Sequence, residues 1–220
     1  MSREKKFTRT LLKWWIENKR DFPWRENGRS PFEVLIAEVL LRKTRAESVL
    51  PTFHSILKKY PTPADLSAAD FTQLSEMLHP IGLYNIRAQA LVDISKILVG
   101  EHGGQVPGSS EELTKLPHVG RYIANAVLCL AFGEDVPLVD ANIQRILERV
   151  FDEREAVEIH KADYLWDRVL ALAPRGQAKD FNLALIDFGA LVCASRNPSH
   201  SECPISDICS HFSRTNKGVE

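Results

Sequence analysis

The chain has 220 residues, a formal net charge of −1, and hydrophobic and charged fractions of 44% and 26%. That length can bury a core as one compact unit or two small lobes, and the composition is that of an ordinary globular protein. No apolar run is long enough to cross a bilayer, and the charged start from Met1 to Arg9 has no apolar stretch behind it. Neither a membrane anchor nor a signal peptide is therefore expected. The near-zero charge gives no basic footprint, and the short basic runs Arg3–Lys6 and Arg42–Arg45 each read alone as solvated faces.

Helical periodicity dominates the chain in order. Residues 5–19 form an amphipathic stretch carrying Phe7, Leu11, Leu12 and Trp15, which the turn-forming Asp21–Gly28 breaks. Residues 31–41 are apolar on nearly all sides, which predicts a buried helix. Further helices are predicted at 46–59, 64–68, 70–78, 84–102 and 110–116, separated by Pro61, Pro63, Pro80, Gly82, Gly103, Gly104 and Pro107. Helices at 121–132, 140–151, 159–173 and 179–193 complete the series. With no alternating strand pattern and no internal repeat, the expected fold is all-α.

Several segments carry chemistry. Leu113–Leu128 reads as a short helix, a tight turn at Pro117-His118-Val119-Gly120, and a second helix opening at Arg121 and Tyr122. Backbone N–H groups beside a helix N-terminus suit a phosphate, although an ordinary helical corner has the same pattern. Asp140 precedes the helix 141–151 and reads as its N-cap. Glu38 lies among apolar neighbours in 32–41, either turned to the rim or lodged in a pocket that would raise its pKa. Cys129 sits in an apolar run, whereas Cys193, Cys203 and Cys209 crowd the C-terminal part, where a metal site is a better reading than disulfides.

The hairpin resembles the helix-hairpin-helix element of the DNA glycosylase superfamily that includes endonuclease III. The usual Leu-Pro-Gly-Val-Gly has His118 in place of its first Gly here. In that superfamily a catalytic Asp follows the hairpin in a Val-Asp segment, 18 positions after the residue that decides whether the backbone is also nicked. Val139-Asp140 and Tyr122 stand at that separation. Bifunctional members carry Lys at the Tyr122 position and attack the sugar as an amine, which a phenol cannot do. The resemblance thus implies a monofunctional glycosylase, with a bifunctional lyase as a rival.

Phe22-Pro23-Trp24-Arg25, Ser30-Pro31-Phe32 and Ala37-Glu38-Val39-Leu40-Leu41-Arg42-Lys43-Thr44 are similar to the adenine-mismatch branch, and more so to the archaeal thymine-DNA mismatch glycosylases. The basic pair Arg42-Lys43 and Tyr122 favour the thymine branch, and Asp180-Phe181-Asn182-Leu183 with Asp187-Phe188 extend the likeness over about residues 7–212. Adenine enzymes usually add a C-terminal domain that checks for oxidised guanine, and the sequence stops short of it. The matching Glu38 would protonate a leaving adenine or hydrogen-bond a flipped pyrimidine. Ile81-Gly82-Leu83-Tyr84-Asn85 corresponds to a loop that pushes side chains into the duplex, although a buried Leu83 at a helix junction is an equal reading.

The family's C-x6-C-x2-C-x5-C cluster motif is matched by Cys193, His200, Cys203 and Cys209, with His as the second ligand. A [4Fe–4S] cluster with one His ligand, a zinc ion, and no metal are the three readings, the cluster preferred. The implied architecture is a six-helix lobe over 29–135 and a second lobe of 1–28 with 136–220. DNA would lie in the cleft between them, where Tyr122 and Asp140 would meet. His118, Val119, Gly120, Arg121, Leu83, Tyr84, Arg42 and Lys43 are the expected DNA contacts. The expected protein is a monomer of the cytoplasm or nucleoid that removes thymine or uracil opposite guanine from double-stranded DNA. Adenine excision and a non-catalytic DNA-binding role are the alternatives.

Overall fold

The computed structural model describes residues 1–153 and 163–216. Its regular elements are helices: α1 (Arg3–Asn18), α2 (Pro31–Leu41), α3 (Ala46–Lys59), α4 (Pro63–Ser67), α5 (Phe71–Leu78), α6 (Tyr84–Glu101), α7 (Ser110–Lys115), α8 (Arg121–Val127), α9 (Ala141–Phe151), α10 (Asp163–Leu172), α11 (Ala178–Leu191) and α12 (Ser210–Asn216). No strand occurs among the described residues, and the all-α expectation holds. The predicted helix at 159–173 begins at residues 159–162, which lie outside the described residues. Among the described residues, no helix is long and apolar enough to cross a membrane.

The chain forms two compact units, Asp21–Gly133 and Met1–Arg20 with Glu134–Glu220. In the first, α2 is the central helix, and Phe32, Val34 to Ala37, Val39 and Leu40 are all buried. It packs against α3, α6 and α8, which accounts for an apolar sequence on every side. A capping box starts it: Ser30 Oγ accepts from Glu33 N at 3.2 Å, and the Glu33 carboxylate accepts from Ser30 N at 2.9 Å. Pro31 at the first helical position adds a preset φ. The predicted helix 121–132 is α-helical only to Val127 and runs on as a π-helical turn, Leu128–Phe132, closed by Gly133 at φ +74°.

In the second unit α1 lies along α11 and α10, and α11 along α9. Phe7, Leu11, Phe181 and Phe188 are fully buried there, and Phe7 meets Phe151 and Phe181 edge-on. The buried Asp187 ties the end of α1 to α11. Its carboxylate accepts from Trp15 Nε1 at 3.0 Å, Arg20 N at 3.1 Å and Arg20 Nε at 2.7 Å. Gly189 lets α9 and α11 approach closely, since a Cβ there would lie 2.8 Å from Asn142 Cβ.

Candidate active site

The hairpin in the first unit is built on a turn with Pro117 at its second position and a positive φ at its third. Val119 N donates to Leu116 O at 3.2 Å, and His118 takes φ +64°. These are the marks of a type II turn, whose third residue is ordinarily Gly or Asn. The His118 departure therefore preserves the turn by placing a bulky residue in the left-handed region. Its imidazole Nε2 stands 3.7 Å from Asp93 Oδ2 on α6. Gly120 is the N-cap of α8, which no side chain caps. Gly120 and Arg121 are exposed, Val119 is buried and Tyr122 is half-buried.

Glu38 is only 7% exposed on α2, which rules for the lodged carboxylate over the rim reading. Arg42 and Lys43, just beyond α2, are both exposed, and Lys43 takes φ +54°. Leu83, before α6, is 46% exposed at φ +49°, and Tyr84 is 37% exposed. Exposure removes the buried-core reading of Leu83. The two turns are brought together by Arg87 from within α6, which no sequence motif marks.

In the second unit Asp140 is half-buried and is the N-cap of α9, as its sequence context predicts. Oδ1 accepts from Asn142 N at 2.9 Å and Ile143 N at 2.8 Å, and Oδ2 accepts from Asn142 Nδ2 at 2.9 Å. The segment leading to it is pinned from α11. Asn182 Oδ1 accepts from Leu138 N at 3.1 Å, and Asn182 Nδ2 donates to Val136 O at 2.8 Å. Asp135 accepts from Gly176 N at 2.6 Å and from Ala178 N at 3.3 Å. Asn142 Oδ1 accepts from Arg145 at 2.9 Å, and Arg145 Nε donates to Cys193 O at 3.0 Å.

Cys193, His200, Cys203 and Cys209 line one pocket, together with Arg149, His211 and Phe212 among others. All three cysteines are free thiols. Burial, followed by the nearby Cys209 and Cys193 thiols, pushes the Cys203 thiol up to about 11 against a pull from the Ile205 backbone. Arginines brace the loop. Arg149 donates to Cys193 Sγ at 3.4 Å and Ala194 O at 2.7 Å, and Arg3 donates to Ile208 O at 3.0 Å. Among the described residues, no three His, Cys, Asp or Glu side chains are gathered to hold a metal ion. His211, whose ring centroid is 6.0 Å from that of His200, is a further imidazole that spacing did not single out.

Residues 36–165, which include Glu38, the hairpin and Asp140, match the family model of the HhH-GPD superfamily base excision DNA repair proteins. The chain belongs to this superfamily. A thymine/uracil-DNA glycosylase of Methanothermobacter thermautotrophicus is 36% identical over 212 residues, 96% of each chain. An adenine DNA glycosylase of Mycobacterium tuberculosis is also 36% identical, over 90% of this chain and 65% of its own length. The solved structure of a thermostable thymine-DNA glycosylase superposes with a TM-score of 0.90 at 36% identity, covering 96% of this chain and 97% of that one. For an HhH-GPD chain, sequence motifs had marked the hairpin, Glu38 and Asp140. They carried no sign of Arg145, which ties α9 to Cys193 O and Gly189 O, or of Arg87, which ties the turn at 42–44 to the turn at 81–82.

Proposed function

We propose that this HhH-GPD chain is a monofunctional DNA glycosylase that removes thymine or uracil mismatched with guanine, leaving an abasic site. The observation that carries this is the near-full-length likeness to a thymine/uracil-DNA glycosylase. Flipping takes the base out of the stack, and hydrolysis of its N-glycosidic bond builds oxocarbenium-like positive charge on the sugar. Asp140 stabilises that charge, orients the attacking water and accepts its proton as the new C–O bond forms. The base leaves with the electron pair of the broken C–N bond. Glu38 hydrogen-bonds the flipped pyrimidine. Tyr122 supplies no amine for a Schiff base, so the backbone is not nicked efficiently.

His118, Val119, Gly120 and Arg121 hold a backbone phosphate, which fixes position without reading sequence. Leu83 or Tyr84 enters the duplex and fills the gap left by the flipped nucleotide, and Arg42 and Lys43 contact the DNA. The enzyme works as a monomer in the cytoplasm or nucleoid. Cys193, Cys203, Cys209 and His200, which line one pocket, hold a [4Fe–4S] cluster, a reading supported by their match to the spacing of the family's cluster motif. Such a cluster would brace the loop after α11, and no step of the reaction passes through it.

The likeness to an adenine DNA glycosylase favours a second reading, adenine excision, in which Glu38 protonates the departing purine. Single-turnover base release from duplexes carrying G:T, G:U, A:G or A opposite 8-oxoguanine, each followed by alkali, separates the two. Release from G:T and G:U alone is expected. Release from only the adenine substrates overturns the proposal.

A further inference from the structure

Arg87 is 2% exposed, on the first turn and a half of α6, and its guanidinium reaches two separate stretches of chain. One nitrogen donates to Ile81 O at 2.6 Å and to Gly82 O; the other donates to Arg42 O and Thr44 Oγ1, each at 2.6 Å. Thr44 Oγ1 adds a direct tie to Ile81 O at 3.3 Å. These acceptors are three carbonyls and a hydroxyl, with no carboxylate to balance the charge.

Burying a guanidinium against neutral acceptors is costly, and an apolar side chain of similar volume would fill the space with less penalty. The guanidinium fork instead does what no apolar residue does, holding two turns at one separation by directional bonds. Both turns are strained. Lys43 and Leu83 are non-glycine residues in the left-handed region, at φ +54° and +49°, which L side chains adopt at a steric cost. Such conformations persist where the surroundings over-determine them, and here the bonds of Arg87 do so. Each turn also carries its side chains outward, with Arg42 and Lys43 on one and Leu83 on the other.

We propose that Arg87 is a positioning residue that joins the 42–44 turn and the 81–84 turn into one rigid two-pronged element, so that Leu83 and the Arg42–Lys43 pair meet the duplex at a set separation. The inference rests on the glycosylase reading for its rate assay. A fluorescent measurement supplies a test that does not.

The test is a double-mutant cycle between Arg87→Lys and Leu83→Ala. A lysine ammonium donates from one atom and does not span both turns. Single-turnover release of thymine from a G:T duplex is expected to fall about tenfold or more in R87K, the scale set by misplacement of a positioning group. In the L83A background the same change should cost little further, because coupled residues are non-additive. An equal fold-loss in both backgrounds, or a full rate in R87K, overturns the proposal. If R87K does not fold, Thr44→Val removes the hydroxyl that both Arg87 and Ile81 use and enters the same cycle.

The companion measurement places 2-aminopurine beside the mismatch and follows its fluorescence on binding. Wild type should brighten the probe by unstacking it, and R87K should brighten it much less. A wild-type protein that releases no base sinks the glycosylase reading alone, and the probe still decides this one. Equal brightening by R87K, or no brightening by wild type, overturns it.

Discussion

Replacing Asp140 by Asn separates a helix cap from a reacting carboxylate. Asn caps about as well as Asp, so the remaining oxygen keeps the bonds from Asn142 N and Ile143 N. The lost charge at the start of α9 costs about 0.3–1 kcal/mol. Losing Oδ2 as acceptor for Asn142 Nδ2 costs about 1 kcal/mol more. Against a typical folding stability of roughly 5–15 kcal/mol, a total of about 1–2 kcal/mol leaves nearly all molecules folded. The melting temperature should fall by roughly 2–8 °C, at 2–4 °C per kcal/mol for a chain of this size. Loss of a group aimed at transition-state charge costs about 100- to 1,000-fold in rate, which so small a stability loss does not produce. The assay is single-turnover thymine release from a G:T duplex at saturating enzyme, with fluorescence polarisation for DNA affinity and a thermal melt for folding. D140N should bind DNA within about threefold of wild type and release base at least about 100-fold more slowly. A folded D140N that releases thymine within tenfold of the wild-type rate would refute the catalytic assignment and leave Asp140 as a cap only.

The hairpin gives a prediction with an unusual sign. His118→Gly relieves about 1–2 kcal/mol of left-handed strain against about 0.5–1 kcal/mol of added chain entropy and a small loss at Asp93. H118G should melt at or above wild type and above H118A, which keeps the strain; H118A melting above H118G would contradict the strain argument. For the metal, protein purified with exclusion of oxygen should contain iron and acid-labile sulfide with broad visible absorbance. Cys203→Ser and His200→Ala should lose both, and His211→Ala should keep them. Stoichiometric zinc without iron would refute the cluster. Asp187→Ala removes the carboxylate that accepts from Trp15 Nε1 and from the half-buried Arg20, so it should destabilise by about 3 kcal/mol, roughly 1 kcal/mol for each bond lost, read by urea denaturation. A change below 1 kcal/mol would show that the pair is dispensable.

Much of the helical layout was legible because Pro and Gly punctuate it. The predicted spans 31–41 and 46–59 match α2 and α3, and Asp140 stands as the cap of a helix over 141–151. The change from α to π geometry at Leu128 was not, since an apolar periodicity of about four residues reads the same in both. Glu38 illustrates a choice that periodicity leaves open. A helix apolar on all sides has no rim in the sequence, and only its neighbours α3, α6 and α8 decide that Glu38 is buried. His118 was visible as a departure from glycine, but its positive φ is a property of the closed turn. Arg87 and Arg145 left no local mark, because their bonds to Arg42 O and Cys193 O run 45 and 48 positions along the chain and have no period. Asn182 was marked only within the family-like run 180–183, and its bonds to Val136 O and Leu138 N span 46 and 44 positions.

The long-range bonds of Asn182, with the local bonds at Asp140, also bear on a conflict that the sequence sets up there. Capping and catalysis had looked like rival accounts of one side chain, the first the commoner. In the fold they require the same thing. Three N–H donors fix both carboxylate oxygens, Asn182 fixes the strand of chain before them, and Gly189 permits the close helix approach behind Asn142. A carboxylate held this way before any substrate arrives need not reorganise when positive charge develops beside it, which is where electrostatic catalysis gains most. A cap with one such bond would suffice to start α9. The excess of restraint over what a cap needs supports the proposal that Asp140 takes part in the chemistry.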